Sequence, residues 1–203
     1  MRSDIARLPV QRQLAEFRDA LSRNEVLLDV LNRAATLDLP GWYLTAGCLL
    51  QTVWNVVTHR PPMHGIQDYD LFYFDDRDVS WDAENRVIQR GRGKFRDTNV
   101  EIRNEARVHL WYEQKFGTPC APHTSTESAI ESFAATTCCL GVRLDTDGRW
   151  NVYAPHGSSD VFALVVRPNP VVAPKSLYEL KARRWQEFWP ELTVLPWPEL
   201  TAE

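Results

Sequence analysis

The chain has 203 residues, of which 44% are hydrophobic and 25% charged, the proportions of an ordinary soluble globular protein. The formal net charge of −4 argues against a strongly basic nucleic-acid or membrane surface, although it leaves room for a local basic pocket. No apolar run approaches the ~18 residues that a membrane-spanning helix needs, and the first residues lack the apolar core of a secretory signal. We therefore expect a cytoplasmic protein with no membrane partner, and the sequence does not fix its oligomeric state.

The N-terminal segment, residues 1–40, is predicted to be helical. Apolar residues recur at helical spacing through the first 36 residues, which indicates core packing on one face. Ser22 and Glu25 have the spacing of a capping box, which predicts two helices that meet near Ser22. Asp38-Leu-Pro-Gly41 then ends the helical pattern.

Short strands and helices alternate through the central segment, residues 41–117. Aromatic and apolar runs predict strands over residues 42–46, 68–74 and 100–103. Helical periodicity predicts helices over residues 48–58, from Ser80 to about residue 89 with Gly91-Arg-Gly93 ending it, and over residues 106–116.

The last segment, residues 118–203, is predicted to be a C-terminal elaboration. A helix is expected from Thr124 to about residue 133, and Asp145-Thr-Asp-Gly148 predicts a hairpin between residues 140–144 and 150–153. Residues 161–166 are a strand or a helix end, and residues 177–188 form a closing helix. The whole pattern predicts one domain over residues 1–203 of the α/β (α+β) class, with a mixed β-sheet flanked by helices.

Four cysteines contain no C-x-x-C pair and have no histidine at a metal-binding spacing. We expect reduced, structural cysteines rather than disulfides or a zinc site.

The most informative segment is Asp68-Tyr-Asp70, at the start of a predicted strand. Side chains two residues apart on a strand project from the same face, with Cα atoms roughly 6.6 Å apart, so the two carboxylates are placed to hold a divalent cation. The chain has four acid-x-acid pairs, about as many as chance predicts, but only this one enters an apolar strand. There, two close carboxylates are costly unless a cation pairs them.

Two further features support a metal and phosphate site. Glu101 begins the next predicted strand and meets Asp68 and Asp70 if the strands are neighbours, which sequential strands usually are. Three oxygen ligands suit Mg²⁺ or Mn²⁺. Gly47 marks a strand-to-helix turn, where backbone N–H groups are available to a phosphate.

Together these residues resemble the nucleotidyltransferase superfamily that includes DNA polymerase β. The segments Ala46-Gly-Cys-Leu-Leu-Gln, Gly65-Ile-Gln-Asp-Tyr-Asp-Leu-Phe-Tyr-Phe-Asp75 and Val100-Glu-Ile-Arg-Asn104 are similar to a bacterial nucleotidyltransferase-like family, and the resemblance spans about residues 40–190. It implies a nucleotidyltransferase-type fold and a metal-dependent enzyme. Such an enzyme transfers a nucleoside monophosphate from an NTP to an acceptor and releases pyrophosphate.

The resemblance also implies roles for particular residues. Asp68, Asp70 and Glu101 correspond to the metal-binding and catalytic carboxylates of a two-metal mechanism, with Glu101 placed to deprotonate the acceptor. The expected nucleotide-binding residues are Gly47, Cys48, Gln51, Arg60 and Arg103. The acidic balance favours a small-molecule or protein acceptor over a nucleic acid.

The chain departs from the superfamily pattern in ways that leave alternatives open. Cys48 follows the turn glycine where a serine is common, and a thiol is a poor donor to phosphate. Gln51 stands in the following helix where a basic residue is common, and Glu101 is longer than the usual aspartate. A degenerate member that binds a nucleotide or protein without catalysis is therefore an alternative. Phosphoester hydrolysis at the same carboxylates is another.

Overall fold

A computed structural model describes residues 2–145 and 147–199 of the chain. Its centre is a mixed five-stranded β-sheet with the order β3-β2-β1-β4-β5. The strands are β1 (Tyr43–Thr45), β2 (Tyr69–Tyr73), β3 (Val100–Asn104), β4 (Gly141–Leu144) and β5 (Trp150–Tyr153). Only β2 and β3 run parallel, whereas the other neighbouring pairs are antiparallel. The sheet is therefore mixed, as the sequence predicted.

Helices flank this sheet along the whole described chain. They are α1 (Arg2–Ile5), α2 (Val10–Ser22), α3 (Glu25–Ala35), α4 (Gly47–Val57), α5 (Trp81–Lys94), α6 (Tyr112–Phe116), α7 (Thr126–Glu131), α8 (Ser159–Phe162) and α9 (Lys175–Phe188). Two 3₁₀ helices occupy Glu105–Leu110 and Thr136–Cys138. No helix in the described ranges combines the length and the apolar character required to cross a bilayer.

Strand register separates the sheet into an apolar face and a polar face. Leu44 lies opposite Leu71, and Leu71 lies opposite Ile102, so buried aliphatic side chains share one face. Helix α5 packs on that face so closely that a β-carbon at Gly91 would lie 2.0 Å from Ile102 Cδ1. The other face, called the polar face below, carries Thr45 and Asp70, which are partners across β1 and β2, together with the buried rings of Tyr43 and Phe72.

The C-terminal segment closes the molecule around a cluster of tryptophans. Trp54 on α4 packs edge-on against Trp185 and Trp189, with ring centroids 5.7 and 5.3 Å apart. Trp189 Nε1 donates to Asn55 Oδ1 at 2.9 Å. Short strands β6 (Val165–Val166) and β7 (Thr193–Val194) form a separate parallel pair beside α9. These contacts fix α9 against the core.

Several local predictions are corrected. Ser22 ends α2 and its hydroxyl donates to the Arg18 carbonyl, whereas Asn24 caps α3 by accepting from the Leu27 N–H. The predicted capping box at Ser22 is therefore wrong, because the asparagine amide oxygen takes that role. Helix α5 continues through Gly91 to Lys94 instead of ending at that glycine, since the close approach of Ile102 requires a residue without a side chain.

Other segments resolve into two pieces. The helix predicted over residues 106–116 is a 3₁₀ turn followed by α6, and residues 161–166 hold both a helix end and a strand. The predicted C-terminal hairpin is confirmed as the antiparallel β4–β5 pair, although Thr146 in its turn lies outside the described residues. All four cysteines are free thiols.

Candidate active site

The two acidic strands predicted from the sequence are neighbours. In the parallel β2–β3 pair, Asp70 lies directly opposite Glu101, and on its other side Asp70 is the partner of Thr45 on β1. Asp68 precedes β2 by one residue, two positions before Asp70. The strand order therefore brings the three predicted carboxylates to one end of the polar face.

Asp70 is an electrostatically costly side chain. Its pKa is raised to about 6, chiefly because burial disfavours the charged form and also because the Asp68 carboxylate is near. The cation of Lys181 acts in the opposite direction. Within the described residues, neither the Asp68 nor the Asp70 carboxylate makes a hydrogen bond or an ion pair. Two unpartnered carboxylates of this kind have the donor chemistry that a hard divalent cation requires.

Glu101 is engaged by an arginine. Its Oε2 accepts from Arg103 Nη2 at 2.7 Å, and the guanidinium of Arg103 also lies 5.4 Å from the centroid of the Trp111 ring. Across the described part of the chain, no group of three or more His, Cys, Asp or Glu side chains is arranged as a metal-binding cluster. Asp68 and Asp70 are therefore the residues that could hold a cation, whereas Oε2 of Glu101 is already paired with Arg103.

The strand-to-helix turn at Gly47 has an unexpected strained residue. The positive φ of 58°, with ψ of −133°, belongs to Ala46, and α4 begins at Gly47. Cys48 is buried, with its thiol donating to the Thr45 carbonyl at 3.5 Å, and its pKa is raised well above the usual range by burial and by Asp70 and Asp68. Gln51, one turn into α4, is near enough that a β-carbon on Gly47 would lie 3.3 Å from its Nε2. The first turn of α4 is therefore next to the carboxylates, as expected.

A cleft of about 540 Å³ opens over Asp70. Four basic side chains line it, namely Arg103, Lys115, Lys181 and Arg184. Lys181 and Arg184 come from α9 and make no ion pair within the described residues. Arg184 also borders the small space between Gln51 and Asp68. These two cations supply the basic character that α4 lacks.

Lys181 and Arg184 were not among the residues predicted from the sequence. The available signal was their spacing on the closing helix, because Leu177, Lys181 and Arg184 lie at positions i, i+4 and i+7. They form a stripe beside the buried stripe of Tyr178 and Trp185.

Aromatic side chains also line this cleft. Trp111, Tyr112 and Phe116 lie with ring centroids 4.6 to 6.4 Å apart, and Lys115 Nζ lies 5.5 Å from the Trp111 ring centroid. The buried carboxyl of Glu105 also lines the cleft, and its pKa is raised to about 8 by burial despite the nearby Arg103. The cleft therefore combines the Asp70 carboxylate and cations with aromatic side chains and Glu105.

A second cavity of about 950 Å³ follows β3, the edge strand of the sheet. Glu101 lines this cavity, and Arg103 and Trp111 line both cavities. Arg92 and Arg96 on the helix side are exposed and make no ion pair in the described part of the molecule. The edge cavity is therefore separated from the cleft by the Arg103–Trp111 pair and has a positive rim.

Arg60 lies apart from the other predicted nucleotide-binding residues. Its guanidinium donates to both carboxylate oxygens of Glu191 at 2.9 and 3.0 Å, and it lines neither cavity. Arg103 is the predicted cation that the fold places in the cleft.

Comparisons with known proteins agree with this architecture. The sequence profile of a family described as "Nucleotidyltransferase" matches residues 32–194. An NMR structure described as revealing a CCA-adding enzyme head domain aligns with a TM-score of 0.73 and 24% identity, covering 92% of this chain and 96% of the other, a likeness that shows the fold alone. A search of curated proteins gave no significant match. Because the profile covers most of the chain, this protein belongs to the nucleotidyltransferase family.

Proposed function

We propose that the protein transfers a nucleoside monophosphate from an NTP to an acceptor. The observation that carries this proposal is the opposition of Asp70 and Glu101 in adjacent strands, with Asp70 lining a cleft that bears cations and Glu101 lining the edge cavity. In the reaction, an acceptor oxygen forms a bond to the α-phosphorus, and the bond from that phosphorus to the pyrophosphate oxygen breaks. The acceptor proton passes to a base and pyrophosphate leaves.

The carboxylates fit a divalent cation, Mg²⁺ or Mn²⁺. Asp68 and Asp70 would hold it, with Glu101 as a third ligand or as the base that takes the acceptor proton. When bound, such an ion neutralises charge on the phosphates and on the attacking and leaving oxygens. The unpartnered state of the Asp68 and Asp70 carboxylates supports this assignment.

The phosphates of the NTP are assigned to the part of the cleft beside Asp70. Lys181 and Arg184 provide positive charge there, and Arg103 provides it at the boundary with Glu101. The first turn of α4, with Gly47, Cys48 and Gln51, offers backbone N–H groups on the same side. We infer that charge from α9 replaces the basic residue that other members of the superfamily carry on this helix.

The acceptor is assigned to the edge cavity, where Glu101 is exposed to it. Arg92 and Arg96 favour an acceptor that carries a negative group, such as a phosphorylated small molecule or an acidic segment of a protein. No residue of α9 lines this cavity, so in this proposal the acceptor meets Glu101 and Arg103 without contacting the cations of α9.

One observation favours a second candidate, a nucleotide-binding protein without catalysis. Arg103 already neutralises Glu101, which is the acid that has to act on the acceptor. Cys48 also replaces a hydroxyl donor in the phosphate turn with a buried thiol. A protein with these features retains a nucleotide site even where transfer is lost.

The test is calorimetric titration of each NTP, with Mn²⁺ and with EDTA, on the native chain and on Asp70→Asn. Metal-dependent binding that the substitution removes supports the carboxylate site, and Asp76→Asn, on an exposed loop, is the matched control. Product analysis with candidate acceptors then separates the functions. Pyrophosphate with a modified acceptor means transfer, free nucleoside monophosphate means hydrolysis, and binding without products favours the non-catalytic alternative. No binding of any NTP by the folded native chain would contradict the proposal.

A further inference from the structure

Glu105 is a buried carboxyl group without a partner. The residue is only 3% exposed, and within the described residues its Oε1 is buried without a hydrogen-bond partner. Leaving a buried polar group unsatisfied is costly, because the group has lost its water without gaining a replacement. Such a group in the lining of a cleft is a candidate to exchange hydrogen bonds with a ligand.

Glu84 shows how the same fold treats a buried glutamate that has a structural purpose. It is 5% exposed, but one oxygen accepts from the Asn104 N–H at 2.8 Å and the other pairs with the Arg107 guanidinium. Glu84 therefore stabilises the end of β3. Glu105 follows β3 directly, is equally buried, and does neither.

The position of Glu105 in the cleft matches one part of a nucleotide. Glu105 follows β3 directly, four residues after Glu101, and it lines the same cleft as Asp70. Lys181 and Arg184 line this cleft together with the aromatic side chains of Trp111, Tyr112 and Phe116. Aromatic rings and a hydrogen-bonding group are the elements by which proteins hold a single nucleobase.

We propose that Glu105 binds the nucleobase of the NTP through the hydrogen-bonding edge of the base, while the neighbouring aromatic side chains contact its face. This inference rests on the proposed function of the cleft as the NTP site. It adds a nucleobase-binding residue outside the three carboxylates.

The chemistry of the group defines what it can bind. A neutral carboxyl group offers one O–H donor and one carbonyl acceptor side by side. The edge of a nucleobase presents an adjacent donor and acceptor of the same kind, so two hydrogen bonds form together. The raised pKa of Glu105 supports this neutral form near pH 7. A glutamine amide presents the same pair of groups, whereas leucine presents neither.

The experiment compares NTPs with inorganic tripolyphosphate, both with Mn²⁺, on the native chain, Glu105→Gln and Glu105→Leu. Glu105→Leu should weaken binding of the preferred NTP by about tenfold or more and leave tripolyphosphate binding within about twofold. Glu105→Gln should retain NTP binding within about threefold. Because both substitutions remove an unpartnered acid, the melting temperature without ligand should rise in each.

Glu84→Gln is the matched control, since it alters a buried glutamate that is already paired. It should lower the melting temperature and leave the ratio of NTP to tripolyphosphate affinity unchanged. The inference is overturned if Glu105→Leu binds NTP as the native chain does, or if it weakens NTP and tripolyphosphate equally. A lower melting temperature in both Glu105 variants would also overturn it, because it would show a structural role. If the native chain binds neither NTP nor tripolyphosphate, the proposed function fails together with this inference. The two failures are therefore distinguishable.

Discussion

Asp70 and Glu101 lie directly opposite each other in the parallel β2–β3 pair, yet they are stabilised in different ways. Asp70 is partly buried and makes no hydrogen bond within the described residues, and desolvation raises its pKa to about 6, whereas Glu101 is neutralised by Arg103 at 2.7 Å. The arginine therefore limits repulsion between the strands when no cation is bound. The same guanidinium lies over the Trp111 ring, so the charge of Glu101, the position of Arg103 and the ring of Trp111 form one connected set of contacts.

The first prediction concerns Asp70→Asn. We expect this substitution to lower metal-dependent NTP affinity at least about tenfold, because a carboxylate ligand is lost. Without ligand, it should raise the free energy of unfolding. Because the pKa of Asp70 is raised from 3.8 to about 6 in the folded state, the free energy of unfolding of the native protein falls as pH rises through that interval. The gain above about pH 6 is at most about 3 kcal/mol.

Urea unfolding and calorimetry at about pH 7.5 measure both effects. Asp76→Asn should change neither. Unaltered NTP affinity in Asp70→Asn would show that the cleft binds nucleotide without this carboxylate.

The second prediction concerns the cations of α9. Lys181→Ala combined with Arg184→Ala should raise the dissociation constant for NTP at least about tenfold, because charge-assisted hydrogen bonds to phosphate are lost. Arg183→Ala is the control on the same helix, because Arg183 is exposed and lines neither cavity. An equal loss of binding free energy per removed charge in the double variant and in Arg183→Ala would mean that only net charge matters. Calorimetric titration at two salt concentrations measures the difference.

Much of the fold and part of the candidate site could be predicted from local patterns. Period-2 and period-3.6 runs predicted the order of strands and helices. The spacing of Asp68 and Asp70, with Glu101 on the next strand, predicted which carboxylates lie on neighbouring strands. Lys181 and Arg184 could not be placed from the sequence. The packing of Trp185 and Trp189 against Trp54 on α4 holds α9 near β2, which lies more than 100 residues earlier in the chain.

Glu105 illustrates a different difficulty. Alternation from Glu101 through Arg103 puts it on the polar face, but the pattern carries no information on its burial or on the absence of a partner. Arg60 shows the opposite case, a residue that was predicted to bind nucleotide because it is close to the candidate site in sequence. In the structure its guanidinium is paired with Glu191.

The third prediction compares two glycines in α5. A β-carbon at Gly91 meets Ile102 Cδ1 at 2.0 Å, whereas one at Gly93 meets nothing within 4 Å. Gly91→Ala should therefore lower the free energy of unfolding by about 1–3 kcal/mol through overpacking. Gly93→Ala should raise it by up to about 1 kcal/mol, because alanine favours the helix. Chemical unfolding of both variants tests this, and a shift of the same sign in both would contradict the close packing of α5 on β3.

The fourth prediction concerns the strained turn at Ala46. Its φ of 58° and ψ of −133° are unfavourable for a residue with a β-carbon, at a cost of about 1–3 kcal/mol. Ala46→Gly removes that cost but adds freedom to the unfolded chain, so we expect a net stabilisation of about 1 kcal/mol. Ala83→Gly within α5 is the control and should destabilise by about 1 kcal/mol. A loss of stability in Ala46→Gly would show that the turn is relaxed.

The last prediction is the pH dependence that Glu105 imposes on stability. Its folded pKa of about 8 exceeds the ordinary value of 4.5, chiefly because of burial, with Asp70 and Glu84 adding repulsion and Arg103 opposing both. The folded state therefore holds a proton that the unfolded state has released, and stability falls as pH rises from about 4.5 to about 8. Glu105→Gln does not titrate, so its advantage over the native chain should grow across this interval and level off above it. Thermal unfolding of both proteins at closely spaced pH values, without nucleotide, measures the difference. A constant difference from about pH 5 to about pH 9 would mean that Glu105 is ionised and solvated in the native protein.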